Sequence, residues 1–275
     1  LDLETSLARI SMNRNDQRDP HLTTNPMDLD GLRKLAPAFD WETYFKGLSY
    51  RPLALNVGQT DFFGKMGQLM KDTPLDGLKA YVRWHLIHRA APYLTQALVN
   101  EDFHFFGQTF AGQQEIQPRW KRVLRATNEA LSEAVGQLYV ARFFPPQAKE
   151  RMVKLVENLR VALGERIDKL DWMGPETKAK AREKLAALKV KVGYPDRWRD
   201  YSGLVVGDEG YWQNVLAGEQ FNFDYQMAQA DKPVQPHIWS MPPQMVNAYY
   251  SPNMNEICFP AAILQPPFFY LEGDD

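Results

Sequence analysis

Val246-Asn247-Ala248-Tyr249-Tyr250-Ser251-Pro252 and, a few residues on, Phe259-Pro260-Ala261-Ala262-Ile263-Leu264-Gln265-Pro266-Pro267-Phe268-Phe269 form the stretch on which the reading of this chain turns. Met245 to Tyr250 has the texture of an extended strand, with one polar amide, Asn247, in apolar company. Ser251-Pro252-Asn253 reads as a turn, and Glu256 to Phe259 as a second extended run. The pair is expected to form a hairpin or two neighbouring strands. An edge strand offers free N–H and C=O groups, and an extended peptide can pair with them at roughly 0.5–1.5 kcal/mol per net hydrogen bond. The Asn side chain carries both a donor and an acceptor, so it can hold a peptide unit at both ends. The ordinary alternative is an Asn that bonds only within its own fold.

Upstream, the chain reads as punctuated helix. Asp28 caps a short helix through Leu32 and Leu35, closed by Pro37, and Asp40 caps another from Trp41 to Leu48. Thr73-Pro74 opens a helix carrying Leu75, Leu78, Val82 and Leu86 on one face. A longer helix is expected from Pro118 to the break at Phe143-Phe144-Pro145-Pro146. The next shows the stripe Met152, Leu155, Val156, Leu159, Leu163, Ile167 and Leu170, closed by Gly174-Pro175. Glu176 to Val190 is expected to form another helix, and together these should pack as an all-α body. Past Gly207, prolines and aromatics accumulate, which places a domain boundary near residue 215.

Composition narrows the function. With 275 residues, 44% hydrophobic and 24% charged, the chain is globular and long enough for a sizeable core. A net charge of -2 gives no field to draw nucleic acid or an anionic membrane. No apolar run approaches the roughly 18 residues of a membrane-spanning helix. Cys258 is the only cysteine, so no internal disulfide and no Cys-based zinc site can form; between Ile257 and Phe259 it reads as a small buried hydrophobe. The start, Leu1-Asp2-Leu3-Glu4, has neither Met nor signal-peptide character and reads as an internal position of a longer protein.

Other candidate chemistry is thin. His85 and His88 stand three apart on a predicted helix, a spacing that can bring two imidazoles to one face, but no third ligand is near in sequence. His21, His104 and His237 are isolated. No Gly-x-Gly-x-x-Gly, phosphate-binding loop or Gly-x-Ser-x-Gly elbow is present. Lys178, Lys180, Arg182, Lys184, Lys189 and Lys191 read as a solvated helix face.

Resemblance adds what spacing does not. Val-Asn-Ala-Tyr-Tyr-Ser-Pro-x-x-Asn-Glu-Ile, Val246 to Ile257, resembles the substrate-binding strand of the neprilysin and endothelin-converting-enzyme family of zinc metallopeptidases. Phe259 to Phe269 is similar to the segment preceding that family's zinc helix, with Ala262 where the family often has Gly. Leu170-Asp171-Trp172-Met173, Val192-Gly193-Tyr194-Pro195, Pro118-Arg119-Trp120-Lys121-Arg122, Gly136-Gln137-Leu138-Tyr139-Val140 and Arg18-Asp19-Pro20 extend the resemblance along nearly the whole chain.

The resemblance implies a mainly α fold: a large helical lobe over residues 1–215 that limits access to a cavity, then the β-containing start of a thermolysin-like catalytic lobe over 216–275. It implies that the Asn247 side chain and the Ala248 backbone bind the peptide backbone of substrate, that zinc is the cofactor and that small peptides are the substrates. The single cysteine points to a bacterial member, with a periplasmic or otherwise extracytoplasmic location. In the family, zinc is held by the two His of His-Glu-x-x-His and a later Glu, and the motif's own Glu is general base to the zinc-bound water. This sequence contains no His-Glu-x-x-His. The catalytic residues and zinc ligands are therefore expected in a C-terminal catalytic segment beyond Asp275, and this chain alone is expected not to hydrolyse peptides. The alternative is a non-catalytic helical module for peptide binding or interaction.

Overall fold

The computed structural model describes residues 1–273. In chain order the described elements begin with α1 (Asp2–Ile10), α2 (Pro20–Thr23), β1 (Pro26–Met27), α3 (Leu29–Leu35), α4 (Trp41–Gly47) and β2 (Leu55–Asn56). They continue with α5 (Thr60–Asp72), α6 (Leu75–Ala90), α7 (Gln96–Asp102) and a π-helical stretch, Phe103–Phe110. Then come α8 (Arg119–Ala130), α9 (Ser132–Phe143), α10 (Pro146–Lys169), α11 (Pro175–Ala186), β3 (Lys189–Gly193), α12 (Tyr211–Met227), β4 (Tyr249–Ser251) and β5 (Glu256–Pro260). The fold is mainly α, as expected.

Aspartates set the short N-terminal helices. Asp19, Asp28 and Asp40 each accept a hydrogen bond from a first-turn N–H, those of His21, Gly31 and Thr43. Each satisfies a donor that the helix itself leaves unpaired. At Asp40 the Thr43 N–H, then the Thr43 hydroxyl, hold the carboxyl below its usual range.

The chain divides into two compact units. One comprises residues 1–116 and 206–233. Its core is Leu29, Leu32, Ala36, Trp41, Phe45 and Val57, with Phe39, Phe63 and Met66 packed against it. The other comprises residues 117–205 and the described residues from 234 on. Its core is Phe144, Ala148, Met152, Val156, Val192, Ala261 and Leu264. A single cut near 215 does not reproduce this division, because residue 215 lies inside α12.

Two helical expectations are corrected. The helix from Pro118 is broken at Leu131, whose backbone (φ -122°, ψ 37°) leaves the helical region and separates α8 from α9. The helix expected from Glu176 to Val190 ends at Ala186; Lys189–Gly193 is strand β3, paired in parallel with β5. Lys189-Val190-Lys191-Val192 alternates with period two, and its partner lies far along the chain. The second unit is thus not an all-α body. Its three-stranded sheet has the order β3-β5-β4, with β4 antiparallel to β5 in the expected hairpin. No helix among the described residues is long and apolar enough to cross a membrane.

Candidate functional site

The sheet is covered differently on its two faces. Val190, Val192 and Phe259 join the apolar core with Met152 and Val156 of α10. On the other face Lys191, Cys258 and Tyr249 form one row across the three strands, since Lys191 pairs with Cys258 and Cys258 with Tyr249. Glu256 lies two residues before Cys258 and so shares that face.

β4 is an edge strand, and it is shorter than expected. It starts at Tyr249 rather than Met245. The Asn247 N–H donates to the Met245 carbonyl at 3.0 Å, and the Asn247 Oδ1 accepts the Ala248 N–H at 2.8 Å. The first of these bonds takes up the N–H that a longer ladder would need, and Pro260, opposite Asn247 in the register, has no N–H to return. Residues 245–248 are all exposed. The structure therefore places Asn247 and Ala248 side by side on an open span leading into the sheet edge. With the Ala248 N–H occupied, the Asn247 Nδ2 donor and the Ala248 carbonyl acceptor have no partner among the described residues.

Both ends of this span are held. Upstream, the Gln244 Nε2 donates to Asn128 Oδ1 at 3.0 Å and to the Ser132 carbonyl at 2.8 Å, while the Pro243 carbonyl accepts the Ala262 N–H at 2.9 Å. Gly136 permits this approach: a Cβ there would lie 2.8 Å from Pro243 Cδ. Downstream, the Tyr249 hydroxyl donates to Glu256 Oε1 at 2.7 Å. Glu256 is 1% exposed and pairs with Lys191, 8% exposed, at 2.8 Å. Lys191 also donates to the Ile238 carbonyl at 2.7 Å. Burial, then the bond to Glu256, pushes the Tyr249 phenol well above its ordinary range. Beside the upstream anchor lies a shallow cavity of about 680 Å³, walled by Trp120, Leu124, Arg125 and Met245 among others.

This buried pair was not evident in the sequence. Lys191 is not part of a solvated helix face; it sits between two valines in a strand, and its ammonium is enclosed. A Lys flanked by Val and a Glu opening the apolar run Ile257-Cys258-Phe259 were the available signals. The rest of the basic run does face solvent, with Lys180 bridging Glu183 at 2.9 Å and Arg182 paired to Asp168.

The remaining candidates resolve simply. His85 meets Glu4 at 2.8 Å, and His88 meets Asp102 at 2.9 Å while stacking on Trp84, so the two imidazoles engage different carboxylates. Cys258 is fully buried, and burial pushes its thiol up to about 12. Among the described residues no group of three or more His, Cys, Asp or Glu side chains is arranged to hold a metal. The described residues therefore offer no arrangement that fits a zinc site.

Two family models match the chain, both described as peptidase family M13: one over residues 1–195, the other over 247–275. The second begins at Asn247. Endothelin-converting enzyme 1 of Homo sapiens is 30% identical over 282 residues, spanning 98% of this chain and 36% of that protein. The crystal structure of the Mycobacterium tuberculosis zinc metalloprotease Zmp1 in complex with an inhibitor superposes with a TM-score of 0.93 at 42% identity, covering 99% of this chain and 42% of that one. PepO from Lactobacillus rhamnosis HN001 gives 0.87 at 26% identity, covering 99% and 44%. The chain thus spans little more than a third of the length of the curated relatives it matches.

Proposed function

This chain belongs to peptidase family M13, and from that premise we propose that it is a portion of a zinc-dependent endopeptidase or oligopeptidase that cleaves small peptides, in which Asn247 and Ala248 align the substrate backbone. The observation that carries this reading is the open span 245–248, running into a sheet edge with an amide donor and a carbonyl acceptor adjacent and unused. A peptide C=O can accept from Asn247 Nδ2, and a peptide N–H can donate to the Ala248 carbonyl, with no internal bond broken. Zinc, when bound by the intact enzyme, supplies an activated water. Its ligands are proposed to lie outside this chain, in a C-terminal catalytic segment, and what these residues contribute is orientation.

By the same resemblance the enzyme is proposed to work outside the cytoplasm. The access-limiting role proposed for residues 1–215 fits best on the unit made of 1–116 and 206–233. Helices α8 to α11 belong to the other unit, with the described residues from 234 on, and that unit is proposed to be the start of the catalytic lobe.

Asn247→Ala in the intact enzyme tests the alignment role. The loss of its contacts to the substrate backbone is expected to lower kcat/KM by roughly tenfold, with zinc content unchanged. A variant that lost its metal, or one that cleaved peptides at the wild-type rate, would remove the role assigned to Asn247.

A further inference from the structure

We propose that Lys191, Glu256 and Tyr249 are positioning residues that set the geometry of the Asn247–Ala248 span, an inference that rests on the substrate-aligning reading above. Ala248 is joined directly to Tyr249, so whatever fixes Tyr249 fixes the direction of the Ala248 carbonyl. Tyr249 is fixed by its backbone pairing with Cys258 and by its hydroxyl, which donates to Glu256 and also meets Ser240. The Lys191 ammonium reaches both sides of the span. It pairs with the carboxylate that holds Tyr249 downstream, and it bonds the Ile238 carbonyl in the loop that leads to Pro243 and Gln244 upstream. One buried cation thus ties together the two segments between which residues 245–248 are suspended.

The chemistry of this cluster is not what sheet stability alone would select. Two charges are withdrawn from water, and well-packed apolar side chains of similar volume stabilise such a site as well or better. What apolar residues do not supply is direction. Lys191 and the Tyr249 hydroxyl both converge on Glu256 Oε1, while Oε2 is buried with no hydrogen-bond partner among the described residues. The carboxylate is therefore held by its two partners through one oxygen, the same oxygen to which the phenol donates. A small rotation of Tyr249 would swing Ala248 and carry Asn247 with it.

Tyr249→Phe is the informative substitution, because it removes one hydroxyl and leaves the ring and the ion pair in place. In the intact peptidase it is expected to lower kcat/KM about fivefold, chiefly by raising KM, with zinc content unchanged. In the Asn247→Ala/Tyr249→Phe double variant the combined loss should fall short of the product of the two single losses, because the hydroxyl acts in part through Asn247. Unchanged kinetics for Tyr249→Phe, with Asn247→Ala impaired, would overturn the positioning role while leaving the alignment reading intact. The positioning role would equally fail if the two losses multiplied in the double variant, since the hydroxyl would then act independently of Asn247. If Asn247→Ala were itself without effect, the alignment reading would fail and this inference with it.

Discussion

Cys258 stands between Lys191 and Tyr249 in one row of the sheet, and the two acidic protons of that row are held against release. Burial raises the thiol to about 12, and burial with the Glu256 bond raises the phenol further. In an unfolded chain the same groups titrate near roughly 8.5 and 10. Between the unfolded and folded values the native state binds more protons than the unfolded state, so stability falls as pH rises. The contribution is fully present below about pH 8 and is lost progressively above it, Cys258 first and Tyr249 at higher pH. Urea midpoints followed from pH 7 to 11 should therefore decline on the alkaline side. Cys258→Ala should flatten the first part of that decline, whatever it does to stability at neutral pH. Parallel curves for the two proteins would mean that the thiol is not held protonated by the fold.

At the scale of elements, the end of β3 is the most constrained point. Gly193 has a φ of 77°, and a Cβ there would lie 2.5 Å from Cε1 of the buried Phe144. Its carbonyl accepts the Ala261 N–H at 2.8 Å, which locks β3 to the turn after β5. Gly193→Ala adds left-handed strain to an overpacked contact and is expected to cost roughly 2–4 kcal/mol, read as a lower urea midpoint with unchanged slope. A loss under half a kilocalorie would mean that Phe144 moves aside freely. How much of this was readable follows from the range of the interactions. The caps at Asp28 and Asp40 and the β4–β5 hairpin are local, and each is legible in a few consecutive residues. β3 was not, because its partner is distant, and the helical periodicity of Ala181 to Leu188 masks the strand that follows. Apolar stripes predicted helices better than they predicted burial: Val82 and Leu86 on α6, and Leu159 and Leu163 on α10, are exposed. Within the candidate site, the resemblance singled out Asn247 and Ala248. The ion pair beneath them was hidden, because Lys191 and Glu256 meet only once parallel pairing brings β3 beside β5.

For the whole molecule, magnitudes separate the two functional readings. The open span offers a peptide about two backbone hydrogen bonds, worth roughly 1–3 kcal/mol in all. A millimolar dissociation constant requires about 4 kcal/mol. Alignment by Asn247 and Ala248 therefore does not suffice to hold a peptide; it acquires effect when a catalytic centre and a closed cavity act on the same substrate. A self-standing binding module would need further contacts that the span does not supply. The 275-residue chain, purified and incubated with zinc and a panel of short peptides, is accordingly expected to show neither turnover nor binding tighter than millimolar by calorimetry. Peptide binding in the low micromolar range without hydrolysis would favour the interaction module. Robust zinc-dependent cleavage, with contaminating peptidases excluded, would show instead that side chains within this chain assemble a metal centre, against the arrangement of its His and carboxylate groups.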